Sequence, residues 1–283
     1  MSTAAATHDA IVIKIGGEVV GSGEAAALAS DVRAFVATGA RVAIVHGGGP
    51  QANELSRALG LPITQVAGRR VTDAATLDVV KMVVAGKLNV ELCATLCAAG
   101  VSAVGLHGAS ASLVRATRQP PVVLAGAGSE PIDLGLVGEV SGFQLGLLDV
   151  LWTAGHVPVI ACLGAGADGA IYNINADTVA GQLAGALGAR RLFLVTSTPG
   201  VLRDVRDPDS RLPLLTIADA RAAIASGAVT GGMIAKLEEA IAVLGRGVGA
   251  LHIVGKLAPG DLVRAARAPG AVGTTLTATP LST

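Results

Sequence analysis

Two lysines set beside glycine-rich turns carry the most chemistry in this 283-residue chain. Lys14 is followed by Ile15-Gly16-Gly17 at the close of an apolar run. Lys236 ends Gly231-Gly232-Met233-Ile234-Ala235-Lys236, at the start of a helical pattern. Glycines let the backbone approach an anion with its N–H groups pointing inward, and a lysine adds a compact point charge. That combination suits a phosphoryl group in transfer, whose oxygens need cations. An ordinary glycine turn with a solvated lysine fits the same residues. Lysine is scarce, however: of 21 basic residues only Lys14, Lys81, Lys87, Lys236 and Lys256 are lysines.

Three further clusters stand out. His46-Gly47-Gly48-Gly49-Pro50 closes a second apolar run and opens a helix, with Pro50 in its first turn. No Gly-Lys-Ser/Thr follows, so it is not a Walker A loop, and it is not the GxGxxG dinucleotide pattern. His46 is either a base or a packed, hydrogen-bonded imidazole. Arg69-Arg70-Val71-Thr72-Asp73 precedes a long helical pattern, with Thr72 or Asp73 as its N-cap. An arginine there can clamp a carboxylate with two parallel hydrogen bonds or lie on the surface. In Asn173-Ile174-Asn175-Ala176-Asp177 the two asparagines project to one side of an extended segment, and Asp177 begins the next helix.

The elements that must position these residues alternate. Strands are expected near 10–15, 41–46, 101–106, 157–162, 191–196 and 249–254. Helices are expected near 24–38, 50–59, 73–99, 145–154, 176–187, 216–225, 232–245 and 260–267. Apolar runs such as Val42-Ala43-Ile44-Val45 leave neither face polar, as in parallel strands covered on both sides. The prediction is an α/β fold, a three-layer αβα sandwich with a mostly parallel central sheet shared by two lobes. Residues 110–142 break the alternation; 112–116, 121–125 and 136–140 read as hairpin pieces forming a lid or wall. The expected division is a tail over 1–10, one lobe over 11–188 and a second over 189–283.

Composition narrows the function. Hydrophobic residues make up 51%, aromatics only 2%, and the formal net charge is zero. With no basic block and almost no aromatic stacking surface, nucleic-acid binding is excluded. No uncharged apolar stretch reaches the roughly 18 residues of a membrane span, and Met1–Ala10 has no signal-peptide character, so a cytoplasmic protein is expected. Cys93, Cys97 and Cys162 lack paired spacing and read as buried free thiols; no metal site is expected.

Taken in order, Lys14-Ile15-Gly16-Gly17, Val45-His46-Gly47-Gly48-Gly49-Pro50, Arg70-Val71-Thr72-Asp73, Gly86-Lys87-Leu88-Asn89, Asn173-Ile174-Asn175-Ala176-Asp177, Pro199-Gly200-Val201-Leu202 and Gly232-Met233-Ile234-Ala235-Lys236 resemble the amino acid kinase family. The similarity runs from about Ile11 to Leu276, and it is strongest to the branch acting on N-acetyl-L-glutamate. The resemblance implies phosphoryl transfer from ATP, with Mg2+ on its phosphates, to the substrate's γ-carboxylate without a covalent enzyme intermediate. It assigns Lys14 and Lys236 to the transferring group and Asp177 to orienting both. Backbone N–H groups of Gly16, Gly17, Gly48 and Gly49 would hold phosphoryl and substrate oxygens. Arg70 would take the α-carboxylate, and Asn173 and Asn175 the acetamido end. Ser197, Thr198, Pro199, Gly200, Val201, Leu202 and Thr230 would contact the nucleotide.

The likeness also implies substrate binding and dimerisation in the first lobe and nucleotide binding in the second. It departs at Ser197, where the family usually has Asp. The short stretch before the first strand and the basic Arg264-Ala265-Ala266-Arg267 lead to the expectation of an arginine-insensitive homodimer. Rival readings are a kinase for aminoadipate, N-acetylated or held on a carrier protein, and a non-catalytic amino-acid sensor on the same fold.

Overall fold

The computed structural model describes residues 9–280, except 21, 125, 205, 230 and 231. β1 (Ala10–Ile15) leads through a 3-10 turn (Gly17–Val19) into α1 (Gly23–Ala37), and β2 (Arg41–His46) into α2 (Gly49–Ala58). A small hairpin, β3 (Gln65–Val66) and β4 (Arg69–Arg70), precedes a long helical run. That run is α3 (Ala74–Val80), a π-helical stretch (Lys81–Leu88) and α4 (Asn89–Ala98). Next come β5 (Ala103–His107), β6 (Val114–Arg118), β7 (Gly138–Phe143), α5 (Gly146–Thr153) and β8 (Val157–Ala161). β9 (Leu163–Ala165), β10 (Ile171–Asn173) and α6 (Ala176–Leu187) follow. The remainder is β11 (Arg191–Val195), β12 (Leu214–Thr216), α7 (Ile217–Ala225), α8 (Gly232–Gly245), β13 (Ala250–Val254), α9 (Asp261–Arg267) and β14 (Thr274–Thr277).

Eight strands form one sheet in the order β12-β14-β13-β11-β1-β2-β8-β5, and all neighbours from β13 to β5 run parallel. β14 runs antiparallel to β13 and carries β12 on its outer side. β1 therefore lies inside the sheet, with Ile11 opposite both Val42 and Arg191. Ile11, Ile13, Val42 and Ile44 are all buried, as expected where helices cover both faces. Sequence periodicity places these inner strands and the helices within a residue or two.

Local chemistry explains where the helices start and stop. Asp73 accepts from Thr76 N at 2.7 Å to cap α3, so Asp73 rather than Thr72 is that N-cap. Thr216 and Asp219 form a capping box on α7, and Gly188 ends α6 in the left-handed conformation. On α1, Glu24 accepts from Leu257 N at 3.0 Å and Asp31 from Gly260 N at 2.8 Å. These bonds fasten the turn before α9 to the first part of the chain.

Several elements differ from expectation. β1 starts at Ala10, and Asp9 pairs with Arg190 at 3.3 Å, so the last two residues assigned to the tail are ordered. The 110–142 insertion pairs β6 with β7, but among the described residues its middle piece makes a single bridge, Val122 to Ile132, where Pro120, Pro121 and Pro131 limit ladder bonding. β9 and β10 join β6 and β7 as a second, four-stranded sheet beside the main one. Cys162 is buried, but Cys93 is only partly covered and Cys97 is exposed. The expectation of three buried thiols therefore fails at Cys97, which lies on the outer face of α4.

Candidate active site

The site gathers at the carboxyl ends of β1, β2 and β11, where ligands of open α/β sheets bind. The parallel register sets Ile15 beside His46, so the glycine turns after β1 and β2 leave the sheet side by side. They are pressed together: a Cβ on Gly17 would lie 2.7 Å from the Gly48 Cα. Gln51 Nε2 donates to the Gly17 carbonyl at 2.7 Å and locks the first turn to α2. A Cβ on Gly48 would meet Leu88 Cδ1 at 2.5 Å, so any side chain there would press on the buried Leu88 behind the second turn.

The Lys14 ammonium and the Asp177 carboxylate make an ion pair of 3.0 Å, largely shielded from solvent. Asp177 is held there because Asn175 caps α6, its Oδ1 accepting from Asp177 N at 2.7 Å. Lys236 reaches from α8 and donates to Thr196 Oγ1 at 2.8 Å, just beyond β11. Burial pushes its pKa below the usual lysine value, and the Asp177 carboxylate partly offsets this. The two lysines thus share one carboxylate, Lys14 in direct contact with it and Lys236 within its field.

Beside them opens a cavity of about 560 Å³. It is lined by Gly47–Gly49, by Arg69 and Arg70, and by Asn173, Asn175 and Thr178. Arg70 Nη2 donates to the Gly49 carbonyl at 3.0 Å, which aims the guanidinium over the glycine turn and leaves other N–H donors for a ligand. Asn173 Nδ2 donates to Thr72 Oγ1 at 3.1 Å. Thr72 is itself pinned by Leu134 and Leu136 backbone bonds, so the insertion closes the far wall. Cys162 also lines the cavity, but burial pushes its thiol up to about 11, which makes it a poor nucleophile.

His46 is fully buried, with Nδ1 3.0 Å from the Gly47 carbonyl and Nε2 3.0 Å from Asn89 Nδ2. Burial lowers its pKa to about 4, so the ring is neutral, donating to Gly47 and accepting from Asn89. Of the two roles left open for it, the packed imidazole is the one this geometry supports.

A second cavity of about 420 Å³ lies between the segment after β11 and the start of α8, lined by Thr198, Gly200, Leu202, Val229 and Met233 among others. Ser197 and Pro199 are exposed outside it, and Val201 is buried beneath it, its N–H donating to Thr274 Oγ1 at 2.9 Å. Thr230 lies outside the described residues. Sequence reasoning passed over Thr196 and Gln51. Thr196 carried one usable signal, its place at the carboxyl end of a strand. Gln51 had none before its contact with Gly17 was seen.

The sequence profile of the amino acid kinase family matches residues 9–255. The chain belongs to the amino acid kinase family. Among its relatives in that family, an acetylglutamate kinase from Sorangium cellulosum is 62% identical over 266 residues, covering 94% of each chain. Another from Anaeromyxobacter dehalogenans is 59% identical over 94% of this chain and 98% of that one. In fold, the chain superposes on N-acetylglutamate synthase from Neisseria gonorrhoeae with a TM-score of 0.79. That match has 23% identity and covers 96% of this chain and 60% of the other. The family expectation of an α/β fold with a large, mostly parallel sheet holds.

Proposed function

We propose that the protein transfers the terminal phosphoryl group of ATP to the γ-carboxylate of N-acetyl-L-glutamate, giving an acyl phosphate. The observation that carries this reading is the pair of lysines, Lys14 and Lys236, converging on Asp177 above two glycine turns. An acceptor carboxylate is already a nucleophile, so the site needs cations and alignment rather than a general base. Lys14 and Lys236 neutralise charge on the transferring group, and Asp177 fixes Lys14 by direct contact. The Gly16–Gly17 and Gly48–Gly49 backbones and the amino end of α2 hold its oxygens.

The larger cavity, with Arg70 on one side and Asn173 and Asn175 on the other, suits a small dicarboxylate with an amide. The relatives that are 58–62% identical over nearly this whole length are acetylglutamate kinases, which favours the same substrate here. The smaller cavity takes the nucleotide, with Thr198, Gly200 and Leu202 in its wall. Mg2+ would ride on the nucleotide phosphates and supply charge neutralisation there. In this reading residues 11–188 bind the amino acid and residues 189–283 the nucleotide. The protein works as a homodimer in the cytoplasm. The unpaired outer edge of β5 and the exposed Met82 and Val90 support pairing between copies.

The test is ADP release with N-acetyl-L-glutamate, N-acetylaminoadipate, glutamate and aspartate, with hydroxylamine trapping the acyl phosphate. Hydroxamate formation with N-acetyl-L-glutamate above the others is expected; none with any substrate would end the kinase reading. Light scattering that gave a hexamer, or inhibition by low-millimolar arginine, would remove the arginine-insensitive dimer.

A further inference from the structure

Asn89, the first residue of α4, is buried, and both hydrogens of its amide are used. Nδ2 donates to the Val159 carbonyl on β8 at 2.9 Å and stands 3.0 Å from His46 Nε2. A carbonyl only accepts, so this atom is the amide nitrogen, and its second hydrogen goes to the imidazole. Nε2 is then the acceptor, and the ring proton sits on Nδ1, 3.0 Å from the Gly47 carbonyl. Two backbone carbonyls, Val159 and Gly47, thus fix one tautomer from either end of the network. The surroundings are shaped for it. A Cβ on Gly105 of β5 would collide with Asn89 Oδ1, and the π-helical stretch Lys81–Leu88 ends immediately before Asn89. Such stretches are rare and frequent at functional sites, and their wider i→i+5 turns shift the register of the side chains that follow. Here Val84 and Leu88 bear on Gly48 while Asn89 bears on His46, so one helical run backs the whole second glycine turn.

We propose that Asn89 and His46 are positioning residues for phosphoryl transfer: by holding the Gly47 carbonyl they turn the Gly48 N–H into the larger cavity, towards the oxygens of the reacting groups. In a trans peptide the carbonyl and the following N–H point in opposite directions, and the His46 side of the turn is the buried one. Gly48 lines the cavity, and among the described residues no protein acceptor takes its N–H. A donor aimed in advance costs no reorganisation when charge develops on the oxygen it faces. The role rests on the phosphoryl-transfer reading above, and the pair acts through Gly48 rather than on the reactants.

The test joins kinetics to the signal of the ring itself. In nitrogen NMR of the wild-type protein, with His46→Gln assigning the signal, His46 should carry its proton on Nδ1; a proton on Nε2 would overturn the proposal. His46→Gln keeps the volume but has no donor at the Nδ1 position. It should lower kcat by about tenfold or more, with a smaller change in KM for N-acetyl-L-glutamate. His46→Asn returns a donor to that position and should recover most of the kcat loss, although it leaves the larger void and should melt lower. Asn89→Leu should lower kcat in the same way, and combined with His46→Gln it should be no worse than the weaker single variant. A kcat in His46→Gln within about threefold of wild type, or a kcat that tracks melting temperature through the series, would overturn the role. Wild-type protein that forms no hydroxamate would end the kinase reading instead, and the tautomer would then decide whether Asn89 and His46 hold the turn.

Discussion

Replacing Lys236 by methionine removes one positive charge from the site and keeps most of the side-chain volume. Its Nζ is bonded to the neutral Thr196 hydroxyl at 2.8 Å, while the Lys14 charge is partly cancelled by Asp177 at 3.0 Å. More of the Lys236 charge is therefore free to meet a phosphoryl group. At about 4 Å and an effective dielectric near 20, one unit pair is worth roughly 4 kcal/mol. Loss of a single preorganised donor to developing charge costs about 10²–10³ in kcat. The expected result is a fall in kcat of about 10²-fold or more, with a smaller change in KM for N-acetyl-L-glutamate. Fold stability should hold, because a partly buried ammonium with a depressed pKa is not a stabilising charge. The assay is steady-state ADP release beside a thermal melt of the same preparation. A kcat within about threefold of wild type, with an unchanged melt, would refute the argument. The wild-type enzyme should also lose activity on the alkaline side sooner than an ordinary lysine would dictate, and the variant should lack that limb.

Three other outcomes follow from the geometry. Asn175→Ala removes the α6 cap and should cost about 1 kcal/mol in chemical denaturation; an unchanged midpoint would deny Oδ1 its capping role. Gly48→Ala puts a methyl 2.5 Å from Leu88 Cδ1 and 3.0 Å from Val84 Cγ2, so the turn or these buried side chains must shift; kcat/KM should drop about tenfold or more while stability falls by about 1–3 kcal/mol. Wild-type activity in that variant would show the turn to be dispensable. His46 has a pKa of about 4 when folded against 6.5 as a free side chain, so the unfolded chain takes up the proton first. Stability should therefore fall as pH drops from about 6.5 towards 4, by up to roughly 3 kcal/mol from this group. Denaturation midpoints against pH should show a shallower slope in His46→Gln; equal slopes would remove His46 from the account.

The parts legible in the sequence were those set by short-range rules. Hydrophobic runs without alternation gave the inner strands, and capping residues and glycines gave the helix limits. The rule that ligands gather at strand carboxyl ends brought Lys14 and the second glycine turn to the site. What stayed hidden depends on long-range contact. β9 and β10 are three residues each, too short for a period, and exist because β6 lies alongside. Asn175 reads equally as ligand or cap until α6 is seen to start behind it. Thr196 gains meaning only when Lys236, forty residues later, donates to it.

The position of β1 between β2 and β11 has a consequence for how the chain reaches its native state. β1 is the first strand made, yet one of its two partners belongs to the last third of the chain. Until Arg191–Val195 arrives, one edge of β1 stays unpaired, and it is made of the apolar residues Ile11, Val12 and Ile13. Such high contact order slows folding and lengthens exposure to wrong pairing. A fragment ending before β11 would keep the lining of the larger cavity but carry an open, sticky edge next to Lys14. The two halves of the site are therefore joined through one strand, and each half leaves an edge of β1 open without the other.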